Sequence, residues 1–150
     1  MSMGSSSIFR CKPVAQLLTV ADFNGDGKPD LAVDCACGNG LCGYPGEISI
    51  LLGNGDGTFA SRVDYAATAF PYTVAAGDFN GDGKLDLMVP DLNTDQVSLL
   101  LGKGDGTFSP AVAVQNTSIS PVGVALGDFN GHGLLDAAIG TAEGFTLLMH

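Results

Sequence analysis

The stretches DFNGDGKPD (Asp22 to Asp30), DFNGDGKLD (Asp78 to Asp86) and DFNGHGLLD (Asp128 to Asp136) are three copies of one nine-residue cassette. Acidic or amide side chains stand at positions 1, 3, 5 and 9, with glycine at 4 and 6. This is the pattern by which a short loop wraps oxygen ligands around a hard cation. In the first copy Asp22, Asn24 and Asp26 alternate along the loop, and Gly25 and Gly27 allow the positive φ that the bend needs. Lys28 would lend only its backbone carbonyl, leaving its charged head to solvent, and Asp30 closes the site. The second copy offers Asp78, Asn80, Asp82, the Lys84 carbonyl and Asp86 in the same order. The cation that suits these donors is Ca2+, at two sites per chain. Asn-Gly and Asp-Gly pairs also make plain turns, but a plain turn has no need of a charge at the closing position, where Asp30 and Asp86 recur. Three carboxylates in one loop repel each other without a counter-ion, so folding and metal binding are expected to be linked.

The third copy departs from the pattern. His132 takes position 5 and Leu134 position 7, between Asp128, Asn130 and Asp136. A neutral nitrogen replaces a hard anionic oxygen, so this loop is expected to bind calcium weakly or not at all. A transition metal held by His132 with Asp128 and Asp136 is the weaker alternative.

Asp22 to Asp78 spans 56 residues and Asp78 to Asp128 spans 50, which is the period of a repeat array. Each unit has a second landmark: EISILLGNGDGTF (Glu47 to Phe59), QVSLLLGKGDGTF (Gln96 to Phe108) and a shorter FTLLMH (Phe145 to His150). Ile48, Ile50 and Leu52 alternate around Ser49, as Val97, Leu99 and Leu101 alternate around Ser98, which is strand periodicity. Asp56-Gly57 and Asp105-Gly106 read as hairpin turns. A unit is therefore strand (Thr73 to Asp78), acidic loop, strand (Leu85 to Pro90), turn, strand (Gln96 to Leu101), hairpin and strand (Thr107 to Val114). The predicted fold is all-β, with blades of four antiparallel strands over about 14–65, 73–115 and 122–150 in one repeat domain. An N-terminal strand at Ser6 to Cys11 would complete the last blade. Propeller rings usually have about four to eight blades. Three blades therefore predict self-association, with a six-bladed dimer favoured and the first strand of one copy completing the last blade of its partner. A fragment of a larger propeller is the alternative.

The paired motifs DFNGDGKxDL and VSxLLGxGDGTF resemble the FG-GAP and VCBS-type repeat family, whose blades build integrin-like propellers and several propeller lectins. The resemblance runs from about Val14 onward. It implies calcium in the loop between the first two strands of a blade, at the first two cassettes named above, and an extracellular or cell-surface protein that binds proteins or glycans. Family propellers commonly have seven blades, and this chain has fewer units.

Composition narrows the function. Eight of the sixteen acidic residues lie in the cassettes, and two bound calcium ions would bring the formal charge from −10 to −6. A net −10 opposes binding to nucleic acid or to an anionic membrane. No apolar run reaches the roughly 18 residues of a helical span, and MSMGSSS at the start does not read as a signal peptide.

Cys35, Cys37 and Cys42 lie in DCACGNGLCGYPG, an insertion that lengthens the first unit. With Cys11 they allow three pairings. Cys37 to Cys42 is sterically reasonable across Gly38 to Leu41, and Cys11 would then pair with Cys35; a zinc site and free thiols are alternatives. A disulfide beside calcium loops favours an extracellular setting.

Nothing resembles a nucleophile with its base, and no enzymatic activity is expected. Phe23, Phe79 and Phe129 are expected in the core between blades, together with Phe59 and Phe108. Two function classes remain. One is a recognition module, lectin-like if Tyr44, Tyr65, Phe70 and Tyr72 stack on sugar rings. The other is a scaffold that calcium merely stiffens.

Overall fold

The computed structural model describes residues 14–36, 46–67, 70–116 and 120–150. Its described residues form antiparallel strands and no helix. In the first sheet β1 (Val14–Ala21), β2 (Asp30–Ala36), β3 (Glu47–Leu51) and β4 (Val63–Ala66) pair in chain order. In the second, β5 (Ala75–Gly77), β6 (Asp86–Asp91), β7 (Gln96–Leu100) and β8 (Val112–Asn116) do the same. The third sheet places β10 (Asp136–Thr141) between β9 (Gly123–Gly127) and β11 (Gly144–Leu148). This all-β architecture, two antiparallel four-stranded sheets and a three-stranded one among the described residues, is consistent with propeller blades. The strand anticipated at Ser6 to Cys11 lies outside the described residues.

The LLGxGDGTF motif builds the same hairpin twice. Gly53 bridges Phe59 and Gly102 bridges Phe108. At each tip one aspartate caps the turn. Asp56 Oδ1 accepts the Thr58 amide at 2.9 Å and its hydroxyl at 2.6 Å, and Asp105 Oδ1 repeats both distances with Thr107. The strand expected from Thr107 begins only at Val112. Phe108 makes a single bridge, and Pro110, two residues on, has no amide to donate to a ladder. Gly53 and Gly102 are required by contact. A Cβ at Gly53 would stand 2.2 Å from the Pro29 carbonyl oxygen, and one at Gly102 would stand 2.0 Å from that of Leu85. The hairpin thus lies backbone against backbone on the acidic loop.

The second sheet is apolar on both sides because it has a neighbour on both. Leu87, Val89 and Leu100 pack with Ile48 and Ile50 of the first sheet, whereas Met88 and Val97 pack with Ala137 and Ile139 of the third. Every residue of β6 is buried as a result. Between the first two sheets Phe108 sits edge-on to Phe23 and to Tyr65, with ring centroids 5.6 Å apart in both pairs. Each such pair adds about 0.5–1.5 kcal/mol beyond the area it buries. Phe23 and Phe79 are core residues as expected. Phe129 is not: it is half-exposed, because no sheet covers it among the described residues.

Candidate functional site

Each cassette links the first two strands of its sheet, and all three take the same shape. The glycines at positions 4 and 6 have φ of 72° and 78° in the first loop, 74° and 81° in the second, 77° and 83° in the third. These left-handed values turn successive amides inward, and the position-1 aspartate collects them. Asp22 Oδ1 accepts the Gly25 and Asp26 amides at 2.8 and 3.1 Å, and Oδ2 accepts that of Gly27 at 2.7 Å. Asp78 does the same with Gly81, Asp82 and Gly83, and Asp128 with Gly131, His132 and Gly133. Each position-3 asparagine accepts one loop amide, Asn24 that of Asp26, Asn80 that of Asp82 and Asn130 that of His132, and Asn130 Nδ2 also donates to the His150 carbonyl at 3.2 Å. His132 leaves the backbone path intact because positions 1 and 3 already hold it.

Position 9 performs a task that the sequence did not reveal. Asp30 is fully buried; its Oδ2 accepts the Phe23 amide at 2.8 Å and its Oδ1 the Gly53 amide at 2.7 Å. Asp86 clips Phe79 and Gly102 at 3.1 and 2.8 Å, and Asp136 clips Phe129 and His150 at 2.9 and 2.7 Å. Each carboxylate therefore ties the start of its loop to the end of the third strand of its sheet. A charge at the closing position thus has a structural use that needs no metal, since two buried amides receive a charge-assisted acceptor. Gly53, Gly102 and His150 belong to this site although sequence reading passed over them. The recurring glycine after the paired leucines was the available signal.

Positions 5 and 7 also differ from expectation. The Lys28 side chain stays exposed but is paired: Nζ lies 3.1 Å from Asp26 Oδ2, and Lys84 Nζ lies 3.8 Å from Asp82 Oδ2. The stem of Lys28 crosses the hairpin at Gly55, as that of Lys84 does at Gly104. Both pairs are exposed and so contribute little stability, about 0–1 kcal/mol. The Lys28 amide, and then its side chain, hold the Asp26 carboxyl below its ordinary value. The Gly133 amide does the same for Asp128. Burial pushes Asp86 the other way against its two amide bonds, and the charges of Asp82 and Asp78 add to the effect.

The first two loops carry only hard oxygen donors, the chemistry that calcium takes. A carboxylate has about four acceptor sites, so Asp22, with three amide bonds, and Asp30, with two, retain capacity for a further partner. Among the described residues, however, no group of three or more His, Cys, Asp or Glu side chains lies close enough together to hold a metal ion. The donor set suits calcium; the carboxylates have not converged on a centre.

Of the residues named for sugar stacking, Tyr44 lies outside the described residues. Phe70 is buried, and its amide donates to Asp91 at 2.7 Å, so it has no face to offer a ligand. Tyr65 packs on Phe108, and its hydroxyl accepts the Phe108 amide at 3.1 Å. Tyr72 is half-buried. Cys35 is disulfide-bonded. Cys11, Cys37 and Cys42 lie outside the described residues.

Residues 15–51 match the FG-GAP repeat family and residues 34–89 match the FG-GAP-like repeat family, so FG-GAP-type repeat sequence runs through residues 15–89. Over 79 residues, 48% of the chain, it is 34% identical to phosphatidylinositol-glycan-specific phospholipase D of Mus musculus. The same protein of Rattus norvegicus is 33% identical over an equal span. The chain spans about 9% of the length of either relative.

Proposed function

We propose that this chain is a calcium-braced, extracellular recognition module of the propeller type, without catalytic activity of its own. FG-GAP repeats imply a recognition or adhesion module. The observation that carries the calcium reading is the oxygen-only donor set at positions 1, 3, 5 and 9, presented twice on loops of one shape with acceptor capacity to spare. The disulfide at Cys35 favours an oxidising compartment. The ligand is a protein or glycan; burial of Phe70 and engagement of Tyr65 weaken the sugar-stacking reading.

The scaffold reading has one observation of its own: amide bonds and the Lys28 and Lys84 pairs already hold these loops closed. Calorimetric titration of the chelator-treated protein with Ca2+ tests the calcium that both readings share. Both predict two calcium ions per chain, with one lost in Asp26→Asn and the other in Asp82→Asn. At calcium 100-fold above Kd each site would contribute about 2.7 kcal/mol. That corresponds to roughly 5–10 °C in Tm for a domain of this size. No heat of binding, and a Tm indifferent to chelator, would overturn the calcium that both readings invoke. A glycan array run with and without Ca2+ separates them: repeated hits support recognition, and a blank array supports the scaffold.

A further inference from the structure

Both interfaces between sheets are made from the same pair of faces. The first sheet meets the second with Phe23, Ile48 and Ile50, and the second meets the third with their register equivalents Phe79, Val97 and Leu99. The surfaces they meet also correspond. Val74 and Ala76 pack toward the first sheet, and Val124 and Leu126 pack toward the second. Each sheet therefore has a leading face and a trailing face, and each junction is trailing face on leading face.

Among the described residues the two end sheets each keep part of one face uncovered, and these are the two different halves of that junction. On the third sheet the trailing face is open among the described residues: Phe129 is 51% exposed where Phe23 and Phe79 are 3% and 7%, and Phe145 is 72% exposed where Ile48 and Val97 are both 0%. On the first sheet, among the described residues, the leading face is open along β1, while Leu51 of β3 on the same face is buried. Leu18 and Val20, equivalent to Val74 and Ala76, are each 57% exposed. Large apolar side chains gathered on one face mark an interaction surface, whereas scattered ones do not.

We propose that the trailing face of the third sheet docks on the leading face of the first sheet of a second copy of this chain, repeating between molecules the junction made twice within one. The occupant is a second copy because one chain carries both halves of a matched pair, each built from the residue types that its equivalent already packs against. The contact is heterologous, so two copies can satisfy each other's open faces only by closing a ring, and a chain of copies forms otherwise. Apart from Phe129, position 2 of the third cassette, the residues named for this interface lie outside the acidic loops.

Sedimentation velocity across a wide concentration range, at about 0.15 M salt where repulsion between the acidic chains is screened, tests the proposal. The unaltered chain is expected to associate. Val20→Asp blocks one face and Phe145→Asp the other, so each variant alone is expected to remain monomeric, with association weakened at least tenfold. An equimolar mixture is expected to yield a 1:1 heterodimer, since one intact face of each kind remains. Recovery on mixing is an outcome that misfolding cannot imitate. Leu18→Asp and Leu147→Asp repeat the test at neighbouring positions. A monomeric parent chain at all concentrations would overturn the proposal and assign the faces to further repeats of a longer polypeptide. Association of either single variant at the parental strength would also overturn it.

Discussion

The loop at 78–86 and the loop at 128–136 follow the same backbone path with different charges. In the second loop Asp82 and Lys84 face each other at 3.8 Å; in the third, His132 and Leu134 stand in their places. The acid and its lysine are replaced together, while positions 1, 3 and 9 and both glycines remain. The residues that shape the loop are therefore separable from those that charge it. Asp128 and Asn130 still gather the amides, and Asp136 still clips the loop to the strand end. What the third loop lacks is one anionic oxygen donor and its resident cation.

The sharpest way to break this comparison is to remove the clip. Asp86→Ala and Asp136→Ala each leave two amides without their acceptor, at about 1–3 kcal/mol for each amide that stays buried. Both variants are expected to lose stability, by roughly 2–6 kcal/mol for Asp86→Ala, read from urea midpoints in chelator. The loss at Asp136 is expected to be the smaller of the two, because Phe129 and His150 are more exposed than Phe79 and Gly102. An unchanged midpoint for Asp136→Ala would confine the clip to the first two loops.

A gain of function sharpens it further. His132→Asp combined with Leu134→Lys recreates the second loop's donor set on a backbone already in place. Calorimetric titration is expected to rise by one calcium ion per chain. The change in stability without calcium is expected to stay within about 1 kcal/mol, as for an exposed ion pair. If stoichiometry is unchanged while the first two loops bind, residues outside the cassette decide occupancy.

The smallest effect concerns protons. The Asp128 carboxyl is held below its ordinary value, chiefly by the Gly133 amide, so its contribution to stability is complete above about pH 3.9 and is lost as pH falls through the lowered value. Asp86, raised by burial, has the opposite sign. Folding favours its protonated form, so it adds stability as pH falls through its raised value and opposes folding when it ionises above it. Side-chain carboxyl NMR in chelator is expected to place the Asp86 midpoint above the ordinary carboxylate value and that of Asp128 below it. The reverse order would mean that burial does not govern Asp86.

Much of the molecule could be read from residue order. Cassette spacing located the loops, the glycines at positions 4 and 6 fixed their handedness, and alternation in ISIL and VSLL marked β3 and β7. These are local properties, set by dihedral preference and by the period of a strand. Residue order did not disclose that Asp30 closes on Gly53, 23 residues away, because a carboxylate that clips two amides and one that binds a metal look alike in sequence. Nor did it separate Phe129 from Phe23 and Phe79: three identical DFNG contexts lead to two buried rings and one half-exposed ring. Burial depends on whether another sheet lies alongside, and a side chain carries no record of its neighbour. The repeat, its strands and the shape of its loops were thus determined by the sequence alone. Which acids became clips, which aromatics became core and which faces stayed open were decided only when the sheets packed.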